Sequence, residues 1–463
     1  MENDTTAKMS TICAISTPYG SGGIAVIRVS GTDAIALTDS LFHGHKSLLS
    51  AQANTIHYGT IARDNEVLDE VLVSVFRAPH SFTGEDVVEI ACHGSLYIQQ
   101  TLLQWLIDAG CEMAHAGEFT QRAFLNGRLD LAEAEAVADL IAAQTKAEKD
   151  LAINQLRGGI SQELATLRAR LLEFTSLVEL ELDFADHEEL EFADRHQLTS
   201  LAQEIDAKLT TLTGSFRAGN AIKQGIPVAI IGATNVGKST LLNALVGEER
   251  AIVSDIQGTT RDTIEDTLVL GGILFRFIDT AGIRTTADKI ESLGIERSLQ
   301  AARKALIIIN VIDAADPHDT LSDLPELEGK TIIRVLNKAD KVTPEDLAQF
   351  TNLQTYKFTN YPQLALSAKS GDVEPLKQAL VAEAGRLFDT RNAVTISNAR
   401  HYEALVRALD AIRCVEQGLQ EQLSGEFLSM DLQDCLTALG EITGQITSQE
   451  VLHNIFSKFC IGK

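Results

Sequence analysis

Residues Gly232 to Ser239 read GATNVGKS and fit the spacing GxxxxGK[ST], which suits a loop that holds phosphate. Glycines let the backbone wrap anionic oxygens with successive N–H groups, while Lys238 would reach the β and γ phosphates and Ser239 would offer a hydroxyl to Mg2+. Asn235, Val236, Gly237 and Thr240 complete the stretch expected to touch nucleotide. A Gly-rich turn that binds nothing is the plainer alternative.

A base would be chosen further along the chain, at Asn337, Lys338, Ala339 and Asp340, directly after the apolar run TIIRVL. A carboxylate at Asp340 can accept from the N1–H and 2-amino groups of guanine, which adenine lacks, so ATP would leave that acceptor unpaired. Lys338 would cover the base with its stem. Ser367, Ala368 and Lys369 would support the guanine carbonyl through backbone amides. Any one of these tetrapeptides is readable as a solvated loop, but their order and spacing together argue for one site.

Between them lie the expected switch regions, with Ser254, Asp255, Ile256, Gln257, Gly258, Thr259 and Thr260 in or before the first, and Asp279, Thr280, Ala281 and Gly282 in the second. Thr260 would join Mg2+ and sense the γ phosphate, Asp279 would hold the metal through water, and the Gly282 amide would touch the γ phosphate. Where Ras-like enzymes carry a glutamine that orients the attacking water, this chain has Ile283, which neither donates nor accepts. Arg284 and Glu291 remain as candidates for that work, and each is equally readable as a solvated charge.

The elements that must position these residues follow from periodicity. Roughly residues 10–115 mix short strand-like runs (ICAIST, GIAVIRVSG, EVLVSVFRAP, DVVEIACHG) with turns, as in an α+β domain. From about Leu129 to Leu212 apolar residues recur at helical spacing. A polar hinge, RAGNAIKQGIP, then opens a region where LFRFIDT, ALIIINVID and TIIRVLN alternate with helical stretches, predicting a mostly parallel sheet with helices on both faces. Helical periodicity returns after about residue 386. The expected organisation is a multidomain α/β chain: an N-terminal α+β domain (1–125), a helical domain in two parts (126–224 and 387–463), and a nucleotide-binding domain (225–386) inserted between those parts.

Composition bounds the partners. A net charge of −25 opposes broad, sequence-independent adhesion to nucleic acid, so RNA would need local patches or a second protein to hold it. Six scattered cysteines show neither metal-site spacing nor disulfide density, and no apolar run has membrane-spanning length. A cytoplasmic protein with no membrane partner is expected.

Along essentially its whole length the chain resembles the MnmE (TrmE) family of tRNA-modifying GTPases. The likeness rests on GATNVGKS, GTTRD, DTAG with an apolar follower, NKAD and SAK. Its more specific flanking matches are GSGGIAVIRVSG, SFTGEDVVEIACHG, GEFTQRAFLNGRLDLAEAEAVADLI and the C-terminal FCIGK. This resemblance implies that K+ replaces an arginine finger, bound by Asn235 with Ser254, Ile256 and Thr259, and that Glu291 is the water-orienting carboxylate. Thr234 stands where many members have proline. The N-terminal domain is similar to the tetrahydrofolate-binding fold of glycine-cleavage T-proteins and implies a homodimer, with Arg28, Glu89, Arg128 and Lys463 at a pocket for formyl- or methylene-tetrahydrofolate. Arg128 stands where lysine also occurs. Read without the resemblance, these four are ordinary surface or strand-end charges.

Cys460 is implied as a possible functional thiol, with a structural or folate-adjacent role as the alternative; its following residues do not fit a prenylation box. The implied partners are tRNA and an MnmG-type flavoprotein carrying FAD and using NADH. A regulatory GTPase of ribosome assembly, of Era or Der type, is the alternative, although no convincing GXXG loop accompanies it. A third reading makes the N-terminal fold a dimerisation scaffold without folate.

Overall fold

The structure, a computed structural model, describes residues 10–183, 195–247, 266–278, 300–316, 330–343, 345, 363–387 and 394–462. The strands are β1 (Ile12–Ile15), β2 (Gly22–Ser30), β3 (Phe42–Gly44), β4 (Thr55–Arg63), β5 (Glu66–Phe76), β6 (Val87–Gly94), β7 (Glu112–Met113), β8 (Ile226–Ile231), β9 (Asp266–Leu270), β10 (Ile273–Phe277), β11 (Ile307–Asp313), β12 (Thr331–Asn337) and β13 (Gln363–Ala365). The α-helices are α1 (Ala34–Asp39), α2 (Leu96–Asp108), α3 (Glu118–Leu125), α4 (Leu131–Ala142), α5 (Lys146–Leu156), α6 (Gly159–Asp183), α7 (Arg195–Gln224), α8 (Lys238–Val246), α9 (Glu374–Leu387), α10 (Ala399–Gln420), α11 (Gly425–Thr443) and α12 (Gln449–Phe456). They form two compact units, one of Met1–Ile141, Ile153–Ala193 and Glu421–Lys463, the other of Ala142–Ala152 and Asp194–Gln420.

The first unit is built on a seven-stranded sheet in the order β3-β4-β5-β6-β2-β1-β7. In β2 the alternation is the period-2 signal of a half-covered strand: Ala25, Ile27 and Val29 are buried, while Val26 and Arg28 point to the other face. The buried face packs with Leu102, Leu103 and Leu106 of α2. The C-terminal segment returns to this unit, where Ile461 bridges Ala116 and the Gly117 N–H donates to the Cys460 carbonyl at 3.4 Å. In the same unit α6 packs against α11.

The second unit carries a six-stranded sheet in the order β13-β12-β11-β8-β10-β9, parallel throughout except for the antiparallel edge β9. Its central strands are apolar without alternation because both faces are covered. Val228, Ile230, Ile307 and Ile309 join one buried cluster with Leu241 and Leu245 of α8, whereas Ala229, Ile231 and Ile308 join a second with Ala301, Ala302 and Ala305. The helix α10 buries Ala404, Leu405, Ala408, Ile412 and Val415 at three- and four-residue spacing and packs against α7. Helices from before and after the six-stranded sheet pair, α6 with α11 in the first unit and α7 with α10 in the second. Among the described residues no helix is long and apolar enough to cross a membrane.

Candidate functional site

Strand order places the site. From β8 the chain runs to β9 and β10 on one side, and β11, β12 and β13 lie on the other. The order thus reverses between β8 and β11, and in open parallel sheets the crevice at the carboxyl ends of such strands is where ligands bind. GATNVGKS leaves β8 at that edge, Asn337 ends β12 there, and Ser367 follows β13.

The loop between β8 and α8 is shaped by close approach. Gly237 has φ 96° and caps α8, and a Cβ there would run into Nδ2 of Asn337. Asn235 is also left-handed, at φ 62°. The Lys238 ammonium donates to the carbonyls of Gly232 and Ala233, both at 2.7 Å, and burial pushes its pKa below the usual lysine range. Ser239 is half-buried and Thr240 exposed in the first turn of α8, where backbone N–H groups have no intrahelical acceptor and favour an anion.

Asn337 ties three motifs together. Only 2% exposed, it donates from Nδ2 to the Val236 carbonyl at 2.8 Å and accepts at Oδ1 from the Ala368 N–H at 3.0 Å. Lys338, at φ 64°, reaches back to the Asn235 carbonyl at 2.7 Å. The Ala339 N–H donates to the Leu366 carbonyl at 3.1 Å, which draws the loops after β12 and β13 together. Asp340 is exposed, and the Ser367 hydroxyl holds its carboxyl below the usual carboxylate range, the ionised form a double acceptor requires. Ser367 and Ala368 are buried and Lys369 exposed.

Asp313, which sequence reasoning passed over, also belongs here. It ends the apolar strand β11 and pairs in register with Asn337. Its only sequence signal is an acid at the end of an apolar run. Ser254, Asp255, Ile256, Gln257, Gly258, Thr259, Thr260, Asp279, Thr280, Ala281, Gly282, Ile283, Arg284, Glu291 and Lys463 lie outside the described residues.

In the first unit, Arg28 and Glu89 face each other across β2 and β6, joined from Nε at 3.0 Å and Nη2 at 2.8 Å to a single carboxylate oxygen, Oε1. The guanidinium lies 5.4 Å from the Phe82 ring centre and 5.6 Å from that of Phe119. The Gly462 carbonyl accepts from the Ser16 hydroxyl at 3.1 Å and from Arg28 Nη1 at 3.5 Å. Gly462 itself is left-handed at φ 93°, and a Cβ there would run into the Ile15 carbonyl, so the terminal segment is seated on β1. Exposed Arg128 passes its stem by Gly84, 3.1 Å from where a Cβ would stand. Cys460 is exposed.

A strand, glycine loop and helix with a half-buried lysine, braced by an asparagine at the end of β12 on a mostly parallel sheet, define a P-loop GTPase domain joined to an α+β domain and a helical region. Two family models match the chain: the N-terminus of GTP-binding protein TrmE over residues 11–128, and the MnmE helical domain over residues 131–460. The tRNA modification GTPase MnmE of Parabacteroides distasonis is 53% identical over 465 residues, covering 98% of this chain and 100% of that protein. The protein of the same name from Flavobacterium johnsoniae is 49% identical over 464 residues, covering 98% and 99%. With identity sustained end to end, the chain belongs to the MnmE family of tRNA modification GTPases.

Proposed function

We propose that this GTP hydrolase works with an MnmG-type flavoprotein to add a carboxymethylaminomethyl or aminomethyl group to the wobble uridine of certain tRNAs. A folate bound by the N-terminal domain supplies the one-carbon unit, FAD and NADH belong to the partner, and K+-dependent pairing of the G domains of a homodimer couples hydrolysis to the modification, in the cytoplasm. The observation that carries the nucleotide part is the Asn337 amide joining the phosphate loop to the Ser367–Lys369 loop, because it fixes a base site and a phosphate site relative to each other. With a net charge of −25 the chain is poorly suited to hold tRNA by its overall field, which supports a partner that shares that work.

The residues present suit the groups this reading requires. Ser239 is next to Lys238 in the first turn of α8, so its hydroxyl can face Mg2+ beside the phosphates that Lys238 holds. Asn235 has its main-chain carbonyl engaged by Lys338, leaving its side-chain amide for a monovalent cation. When bound, these metals would offset charge developing on the β and γ phosphates. At Glu89 both Arg28 bonds fall on Oε1, and Oε2 has no hydrogen-bond partner among the described residues. That leaves a carboxylate acceptor for the N–H donors of a pterin, beside a guanidinium that lies near two aromatic rings.

Mass spectrometry of tRNA nucleosides from cells lacking the gene tests this function: wobble uridines are expected to lose the modification and regain it on complementation. Unaltered wobble nucleosides in the deletion strain would overturn the proposal and return attention to ribosome assembly.

A further inference from the structure

The run ALIIINVID ends on its one carboxylate at the carboxyl edge of the sheet, where a charge gains nothing from the core beneath it. Asp313 Oδ2 accepts from the Lys338 ammonium at 2.6 Å, and that ammonium also donates to the Asn235 carbonyl at 2.7 Å. Asp313 Oδ1 accepts from the Ala315 N–H at 3.0 Å, which fixes the carboxylate plane. Lys338 is thus held at three places, its left-handed backbone and the two acceptors of its ammonium, with Asp340 two residues on. Burial is the largest single influence and pushes the Asp313 carboxyl up, but the bonds from Lys338 and the Ala315 N–H together with the nearby Lys338 and Lys341 charges outweigh it, so the net result lies below the usual carboxylate range and Asp313 is a carboxylate at neutral pH.

We propose that Asp313 is a positioning residue for guanine recognition, acting through Lys338: it anchors the ammonium so that the four-carbon stem stands as a preformed wall for one face of the purine. The proposal rests on the assignment of residues 337–340 as the base site. A lysine ordered before the ligand arrives avoids losing rotamer freedom on binding, and that saving would appear mainly in how long the nucleotide stays.

Asp313→Asn tests it, since the amide can keep the acceptor for Ala315 while removing the ionic partner of Lys338. In the full chain, a fluorescent N-methylanthraniloyl GDP is expected to dissociate about tenfold faster, with a comparable rise in KM for GTP and little change in kcat. Asp313→Glu should recover part of the loss. In a Lys338→Met background, adding Asp313→Asn should change dissociation no further, because the group through which it acts is already gone. That non-additivity separates positioning from a general loss of fold, which would lower Tm and add to the Lys338→Met loss. Unchanged dissociation in Asp313→Asn, or losses that add, would overturn the proposal. Asp340→Asn distinguishes the two failures: an unshifted base preference there removes the base site itself, whereas a shift to xanthine with no effect of Asp313→Asn removes only the role of Asp313.

Discussion

Asp340→Asn is expected to turn the base site from guanine toward xanthine. The Ser367 hydroxyl helps hold the wild-type carboxylate ionised, and an ionised carboxylate accepts from both N1–H and the 2-amino group of guanine. An amide offers one acceptor and one donor, so a guanine donor would meet a donor, whereas xanthine carries a carbonyl where guanine has its amine. GTP affinity should fall by about a thousandfold, and xanthosine triphosphate should become the better ligand. Competition of the two nucleotides against a fluorescent GDP measures this directly. A variant that keeps the wild-type preference would remove Asp340 from base recognition.

Asn337→Ala should damage both stability and binding. The side chain is almost completely buried, and each half of its amide satisfies a backbone group: the Val236 carbonyl on the phosphate side and the Ala368 N–H on the base side. Truncation strands both in a site that Gly237 approaches too closely to leave spare room, a cost of about 2–4 kcal/mol. Chemical denaturation should show a lower midpoint, and nucleotide affinity should fall along with it because the two loops lose their shared strut. Asn337→Asp makes the control: it keeps the Ala368 bond and puts a carboxylate against the Val236 carbonyl. Equal stability of wild type and Asn337→Ala would mean that this bridge contributes nothing.

Much of this site could be read in the chain because it is made of short contiguous motifs. GATNVGKS announced itself between an apolar strand and a helix, and unbroken apolar runs such as ALIIINVID marked strands covered on both faces. The edge strand β9 was not singled out, although Gly271 and Gly272, at φ 59° and 79°, make the two-residue turn that joins it to β10. That dipeptide was the available signal. Asp313 was missed for a different reason. Its place beside Lys338 depends on the parallel register that sets Asp313 opposite Asn337, and a register between two buried strands leaves no trace in local spacing. The same holds for the terminal segment: FCIGK marked the family, but only the fold brings the Gly462 carbonyl to Arg28 and Ser16. The flanking helices were legible from periodicity, while the partner each selects, α11 for α6 and α10 for α7, is a property of packed surfaces.

On the proposed function, one crevice at the carboxyl edge of the six-stranded sheet holds a triphosphate and selects guanine. Displacement of fluorescent GDP from the full chain, with Mg2+ and K+ present, is the decisive measurement. GTP should displace the probe and be hydrolysed, while ATP at the same concentration leaves the probe in place. Displacement by ATP as effective as that by GTP, or a probe that never binds, would rule out a guanine-selective crevice on this sheet.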